Sequence, residues 1–201
     1  MRELRTSKDF VHKDSFFAFL AGTAIIGVLL GVISHCFMSD AFLKQMAIAQ
    51  ENFIEIRRHQ DFIIILMKSF LSSTVFLGVA FVLGFSAISQ PLEIILPVIK
   101  GMGLGATMAQ IYAQNGKGGM FISLVIILPC AAISMYALLM GTRESVSFSN
   151  ILMTDLLSSK QSGGLLPALK LYITKFVVLE AIVAVSAGAD CLCTVIFSYK
   201  L

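Results

Sequence analysis

The sequence predicts an all-α, polytopic membrane protein: about five transmembrane helices with a central antiparallel helical hairpin and an amphipathic outer helix, in one domain over residues 1–201. Three observations carry that prediction. Of the 201 residues, 57% are hydrophobic and only 13% charged, where a soluble domain carries about 25% charge. Five apolar stretches of about 20 residues or more occupy over half the chain, each able to cross a hydrocarbon core of about 30 Å. The longest polar segments, Ser39 to Asp61 and Gly141 to Lys175, are too short to bury a core of their own. A soluble enzyme is therefore excluded.

The first span runs from Ser15 to Met38, behind the charged head MRELRTSKDFVHKD. It is too long for a signal-peptide core and lacks a small-residue cleavage site after it. The second covers residues 62–86 and the third 91–112, and the few residues between them, Ala87 to Gln90, make these two the antiparallel hairpin. The third meets the fourth, 120–140, through QNGKGG, a tight-turn composition. The fifth covers 176–199. Helices two, three and four are thus expected to form the compact centre.

Between the first two spans, Phe42, Met46, Ala49, Phe53 and Ile56 recur at helical period, which predicts the amphipathic outer helix. Its other face carries Glu51, Glu55 and His59 one turn apart. That spacing suits a metal ion, but a charged row opposite an apolar stripe is what any amphipathic helix shows, and no metal or other cofactor is expected. Residues 141–175 mix serine-rich turns with apolar patches, which predicts one or two short interfacial helices broken at Gly163-Gly164.

Lysine and arginine in the short loops set orientation. Eight flank the spans on the amino-terminal side and five on the other, which places the amino terminus in the cytoplasm and the chain as a multi-pass protein of a cytoplasmic membrane. The net charge of +3 is scattered, so the partner surface is the lipid bilayer and not nucleic acid. Cys36, Cys130, Cys191 and Cys193 have neither C-x-x-C nor metal-ligand spacing and read as reduced core residues.

Five ionisable residues fall inside the spans, Lys68, Glu93, Lys100, Glu180 and Asp190. Each costs about 2.5–3.5 kcal/mol at a helix centre and so belongs against protein or water. At about 1.5 Å per residue, their depths group Lys100 with Glu93 or Glu180 and Lys68 with Asp190, an intramembrane charge clasp in two layers. Such layers serve as structural clasps or as a proton or ion path. Glu93 also has a local reason for its place, in the first turn after Pro91 where the helix dipole favours a carboxylate.

Pro97 removes a backbone donor from helix three, which predicts a kink. Gly101 and Gly105 follow in a G-x-x-x-G spacing that Gly27 and Gly31 repeat in helix one, while Pro129 interrupts helix four. These are expected sites of close helix packing. No G-x-S-x-G, H-E-x-x-H or phosphate-cradling loop occurs, and His12, His35 and His59 have no evident nucleophile partner, so no catalytic residue is assigned. Ser72, Ser73 and Thr74 read as helix-packing hydroxyls.

Leu83-Gly84 and Ser86 at the end of helix two, Pro91-Leu92 opening helix three, Lys100-Gly101, Gly105 and Thr107 within it, and Pro129 in helix four follow one another in an order and spacing that resembles the stage II sporulation protein M family of small bacterial membrane proteins. The chain departs from that pattern after Pro129, where Cys130-Ala131-Ala132 stand in place of polar residues. The resemblance implies a non-enzymatic scaffold of sporulation engulfment that recruits membrane-associated peptidoglycan hydrolases to the septal membrane. The alternative it leaves open is a membrane subunit of, or partner to, an ATP-driven or ion-coupled transporter, acting with a transporter ATPase and permease.

Overall fold

The computed structural model describes residues 2–37, 62–86, 90–122, 127–157 and 165–198. Among these every regular element is a helix: α1 Arg2–Phe37, α2 Phe62–Leu83, α3 Gln90–Ile122, α4 Leu128–Leu157 and α5 Leu165–Ser198. Four are long and apolar enough to cross a membrane, over Ser15–His35, Leu66–Leu83, Gln90–Ala113 and Leu165–Cys193. In α4 the apolar run from Leu128 stops at Met140, before Gly141-Thr142-Arg143-Glu144. The expected outer helix, with Glu51, Glu55 and His59, and the Gly163-Gly164 break lie outside the described residues.

The surface is inverted relative to a soluble domain. Ile25 and Val185 are 63% and 68% exposed while Glu93 is fully buried, along with Thr142, Ser145 and Ser149. Side chains in lipid gain nothing by turning apolar atoms inward, whereas polar groups must find partners within the protein. Such a pattern is what a hydrocarbon solvent selects.

Contacts fix the relative directions of the helices. Gly27 packs on Val98 and Gly31 on Met102, so α1 and α3 run parallel. Ser69 meets Asp190, Thr74 meets Glu180 and Tyr172 meets Phe81, so α2 and α5 are antiparallel. In α4, Ser145 and Ser149 reach back to Ala80 and Ser86, which makes it parallel to α2. Glu93 and Lys100 of α3 meet Ser145 and Ser134 of α4, so these two are antiparallel and direction alternates along the five described helices. Two halves result: α1 lies on α3, and α2, α4 and α5 pack together around Leu77, Ala80, Leu138, Phe148, Tyr172 and Val183. Although α2 and α3 are joined by a short connection, each packs chiefly on other helices.

Several boundaries differ from the sequence reading. Residues 141–157 continue α4 and Leu165 to Lys175 begin α5, where short interfacial helices were expected. These 30- and 34-residue helices exceed one perpendicular crossing. Their polar turns stay helical because they pack on each other: Glu144 of α4 accepts from Arg143 and from Lys175 of α5. Within α3 the backbone leaves helical geometry at Gly116 (φ 54°, ψ −134°) and not at Pro97. Gly116 stands in the QNGKGG segment, and glycine adopts that positive φ without a Cβ clash. Pro129 is the second residue of α4 and comes two positions after Ile127, whose backbone is in π-helical geometry.

Candidate functional site

The α1–α3 seam is built from the four predicted packing glycines. A β-carbon at Gly31 would fall 2.2 Å from the Met102 carbonyl oxygen, at Gly105 2.1 Å from that of Val28, at Gly27 2.4 Å from that of Val98, and at Gly101 2.4 Å from that of Ala24. Both G-x-x-x-G stretches thus meet each other within one chain, backbone against backbone.

The opposite face of α3 carries Glu93, Lys100 and Thr107 at seven-residue intervals, two turns apart each time. Glu93 accepts from Ser145 Oγ of α4 at 2.9 Å, and the same hydroxyl lies 2.6 Å from the Ala80 carbonyl oxygen. Gly84 closes this buried layer from α2: a β-carbon there would sit 2.3 Å from the Tyr172 hydroxyl and 2.7 Å from Ser145 Oγ. Tyr172 donates to Phe81 O at 2.9 Å, its ring stacked between Phe81 and Phe148 at 5.2 and 4.4 Å. Gly84 and Ser86 therefore border one polar, aromatic junction where α2, α3, α4 and α5 converge, while Pro91 and Leu92 at the start of α3 are exposed.

Lys100 does not join this layer. Its ammonium donates to Ser134 O of α4 at 3.2 Å and lies 5.7 Å from the Phe76 ring centroid. Ser134 and Ser145, the α4 partners of Lys100 and Glu93, are eleven positions apart, about 16 Å of helix. That separation is why the expected Lys100–Glu93 clasp does not form. Glu180 takes Thr74 Oγ1 as its donor and Asp190 takes Ser69 Oγ. With α5 starting at Leu165, Glu180 is fifteen residues along its helix and not about four, so the depth that matched it to Lys100 no longer holds. Lys68 sits on α2 with its side chain exposed, next to Ser69.

Lys100 and Asp190 instead share a cavity of about 320 Å³ between α2, α3, α4 and α5. Ser69, Ser72 and Ser73 of α2 and Ser134 of α4 supply its hydroxyls, and Phe76 forms part of the wall. Thr107 and Ser186 border it too, their hydroxyls turned to Gly103 O and Cys130 O. Such a volume is at the lower end of the range for small-molecule sites.

Sequence reasoning singled out the charged members but took Ser72 and Ser73 as packing groups and passed over Ser69, Ser134, Ser145 and Ser186. Two signals were present. Ser69, Ser72 or Ser73, and Phe76 form one stripe of α2, and Thr142, Ser145 and Ser149 recur at i, i+3, i+7 in α4. Buried Cys130 and Cys191 and half-buried Cys193 stand outside any disulfide, and among the described residues no group of three His, Cys, Asp or Glu is placed to hold a metal. Glu144, in the polar half of α4, loses stability as a carboxylate through burial, but hydrogen bonds and charge from Lys175 and Arg143 outweigh that and hold its carboxyl below the usual value.

Comparison with protein-family models, with curated proteins and with solved structures finds no match to this chain.

Proposed function

We propose that this chain is a non-enzymatic integral membrane scaffold, crossing a bacterial cytoplasmic membrane five times with its amino terminus in the cytoplasm. In this reading α4 is the remaining crossing, α2 and α3 form the central hairpin, and the segment before α2 lies outside as an amphipathic helix. The alternation of helix direction supports an odd number of crossings. The partners are membrane-associated peptidoglycan hydrolases, and the setting is the engulfment step of sporulation, as the resemblance to the stage II sporulation protein M family implies.

The observation that carries this reading is where the motif residues lie. Gly84, Gly101 and Gly105 hold backbones and side chains at distances that exclude a β-carbon, and Ser86 supplies a carbonyl to Ser149. A motif devoted to helix packing maintains a rigid shape, which is what a recruiting surface requires. Affinity purification of a tagged copy, gently solubilised from its own organism early in sporulation, tests the proposal. Recovery of cell-wall hydrolases is expected; recovery of a cytoplasmic ATPase with a permease refutes it.

A second reading has an observation of its own. The cavity holding Lys100 and Asp190 favours a membrane component of a transporter, since polar cavities among membrane helices form substrate and ion paths. Under that reading Lys100→Met abolishes function at normal protein abundance, whereas under the scaffold reading the same change acts only through abundance.

A further inference from the structure

We propose that the cavity between α2, α3, α4 and α5 binds a single acidic oxyanion, a carboxylate or a phosphate, at its Lys100 end. The proposal rests on the cavity and on neither reading of the protein's role, which the co-purification tests separately.

Lys100 is the eleventh residue of α3, near the middle of the Gln90–Ala113 span, where hydrocarbon penalises a cation. Among the described residues its ammonium forms no ion pair: one N–H goes to Ser134 O, a neutral acceptor, and the Phe76 ring centroid lies 5.7 Å away. Two of its three N–H donors are left for an acceptor. The α2 wall adds the hydroxyls of Ser72 and Ser73, neither hydrogen-bonded to another described residue. An oxyanion uses such a set fully, the ammonium meeting its charge and the hydroxyls its further lone pairs, between apolar walls of Leu104, Met135 and Ala187 that strengthen both interactions.

Asp190 borders the same cavity at its other end. It accepts from Ser69 and has a further interaction of its own, so its charge is engaged within the protein. Ser69 is seven positions from Phe76, the α2 residue beside Lys100, which is about 10 Å of helix. Helix α4 gives the same order. Ser186, one turn before Asp190, meets Cys130 O, and because α5 runs against α4, Asp190 lies beyond Cys130 on the side away from Ser134 and Lys100. An anion at Lys100 is thus set apart from the carboxylate. Exposed Ser72, Ile99 and Gly103 put an opening between α2 and α3, and a β-carbon at Gly103 would meet nothing within 4 Å. A small soluble acid arriving through water and an acidic lipid arriving along the bilayer present the same group to it.

The test uses the full chain in maltoside micelles, whose headgroup carries no charge. Acetate and inorganic phosphate are the soluble oxyanions, phosphatidylglycerol titrated into the micelles is the lipid-borne one, and methylammonium and diacylglycerol are the cationic and neutral controls. Calorimetry and native mass spectrometry read binding. Saturable binding of acetate or phosphate supports the proposal with a soluble source, and selective retention of phosphatidylglycerol over diacylglycerol supports it with a lipid source. In either case Lys100→Gln weakens binding about ten- to a hundredfold, as loss of one charged hydrogen bond requires, while Lys100→Arg retains most of it and Asp190→Asn does not weaken it. If Lys100→Gln loses helix content by circular dichroism, the Ser72→Ala, Ser73→Ala pair is read in its place: weaker oxyanion binding supports the proposal and unchanged affinity overturns it. It is also overturned if no oxyanion binds in either form, if methylammonium binds equally well, or if Asp190→Asn abolishes binding with helix content intact.

Discussion

Replacing Gly105 by alanine should pry α1 from α3, and Gly103, two positions away on the same helix, supplies the control. A β-carbon at Gly105 meets Val28 O at 2.1 Å, whereas one at Gly103 meets nothing within 4 Å. The obstacle is backbone, which has no rotamer to change, so relief requires the helices to separate by about 1 Å, forfeiting about a quarter to a half of each affected dispersion contact. Overpacking of this kind costs about 1–3 kcal/mol. Helix propensity returns about 0.5–1 kcal/mol when glycine becomes alanine, leaving Gly105→Ala destabilised by about 1–2 kcal/mol, while Gly103→Ala keeps the propensity gain alone. In lipid, where no hydrophobic effect drives helices together, the seam depends on this contact. Reversible unfolding of the purified chain in mixed micelles measures both variants; equal stability of the two, or a more stable Gly105→Ala, would refute the reasoning.

Other consequences follow from single contacts. Gly22→Ala in α1, where a β-carbon has open space, should match or slightly exceed wild type, while Gly31→Ala should fall with Gly105→Ala in the same unfolding assay. Tyr172→Phe removes the donor to Phe81 O but keeps the ring stack, and should cost about 1 kcal/mol with helix content unchanged by circular dichroism. Glu144 has a folded pKa below its unfolded 4.5, so its contribution is complete above pH 4.5 and fades as pH falls through the lower folded value. Lys175→Gln should remove part of that acid-side loss and about 1 kcal/mol or less of stability at neutral pH, read from unfolding midpoints across pH 3–7.

Helix positions were legible in the sequence because apolar length is a strong signal and lipid tolerates little else. Boundaries in α4 and α5 were not, since composition alone cannot reveal that Glu144 and Lys175 meet across two helices and keep a polar stretch helical. The glycine spacing identified the close-packing faces of α1 and α3, but their mutual contact depends on both helices running the same way, which local sequence does not encode. Pairing Lys100 by depth went astray for a further physical reason: depth fixes only one coordinate. Lys100 and Glu93 share a face of α3 yet meet different turns of α4.

What replaces the expected Lys100 clasp follows from desolvation. Pairing two ions inside a bilayer withdraws both from water, and the attraction offsets that loss only with good geometry and further hydrogen bonds. A serine or threonine hydroxyl donates to a carboxylate at a smaller desolvation cost and, being short, fits where helices touch. Glu93 takes Ser145, Glu180 takes Thr74 and Asp190 takes Ser69, each from a neighbouring helix. Carboxylates held in this way tie α3 to α4 and α5 to α2. Lys100 is then left beside a carbonyl, an aromatic ring and a polar cavity. A purely structural cation replaced by methionine would lose its hydrogen bond to Ser134 O, and the change would show as lower abundance. Lys100→Met should therefore leave abundance near wild type if the cavity serves a ligand, and the ligand-dependent readout alone should disappear.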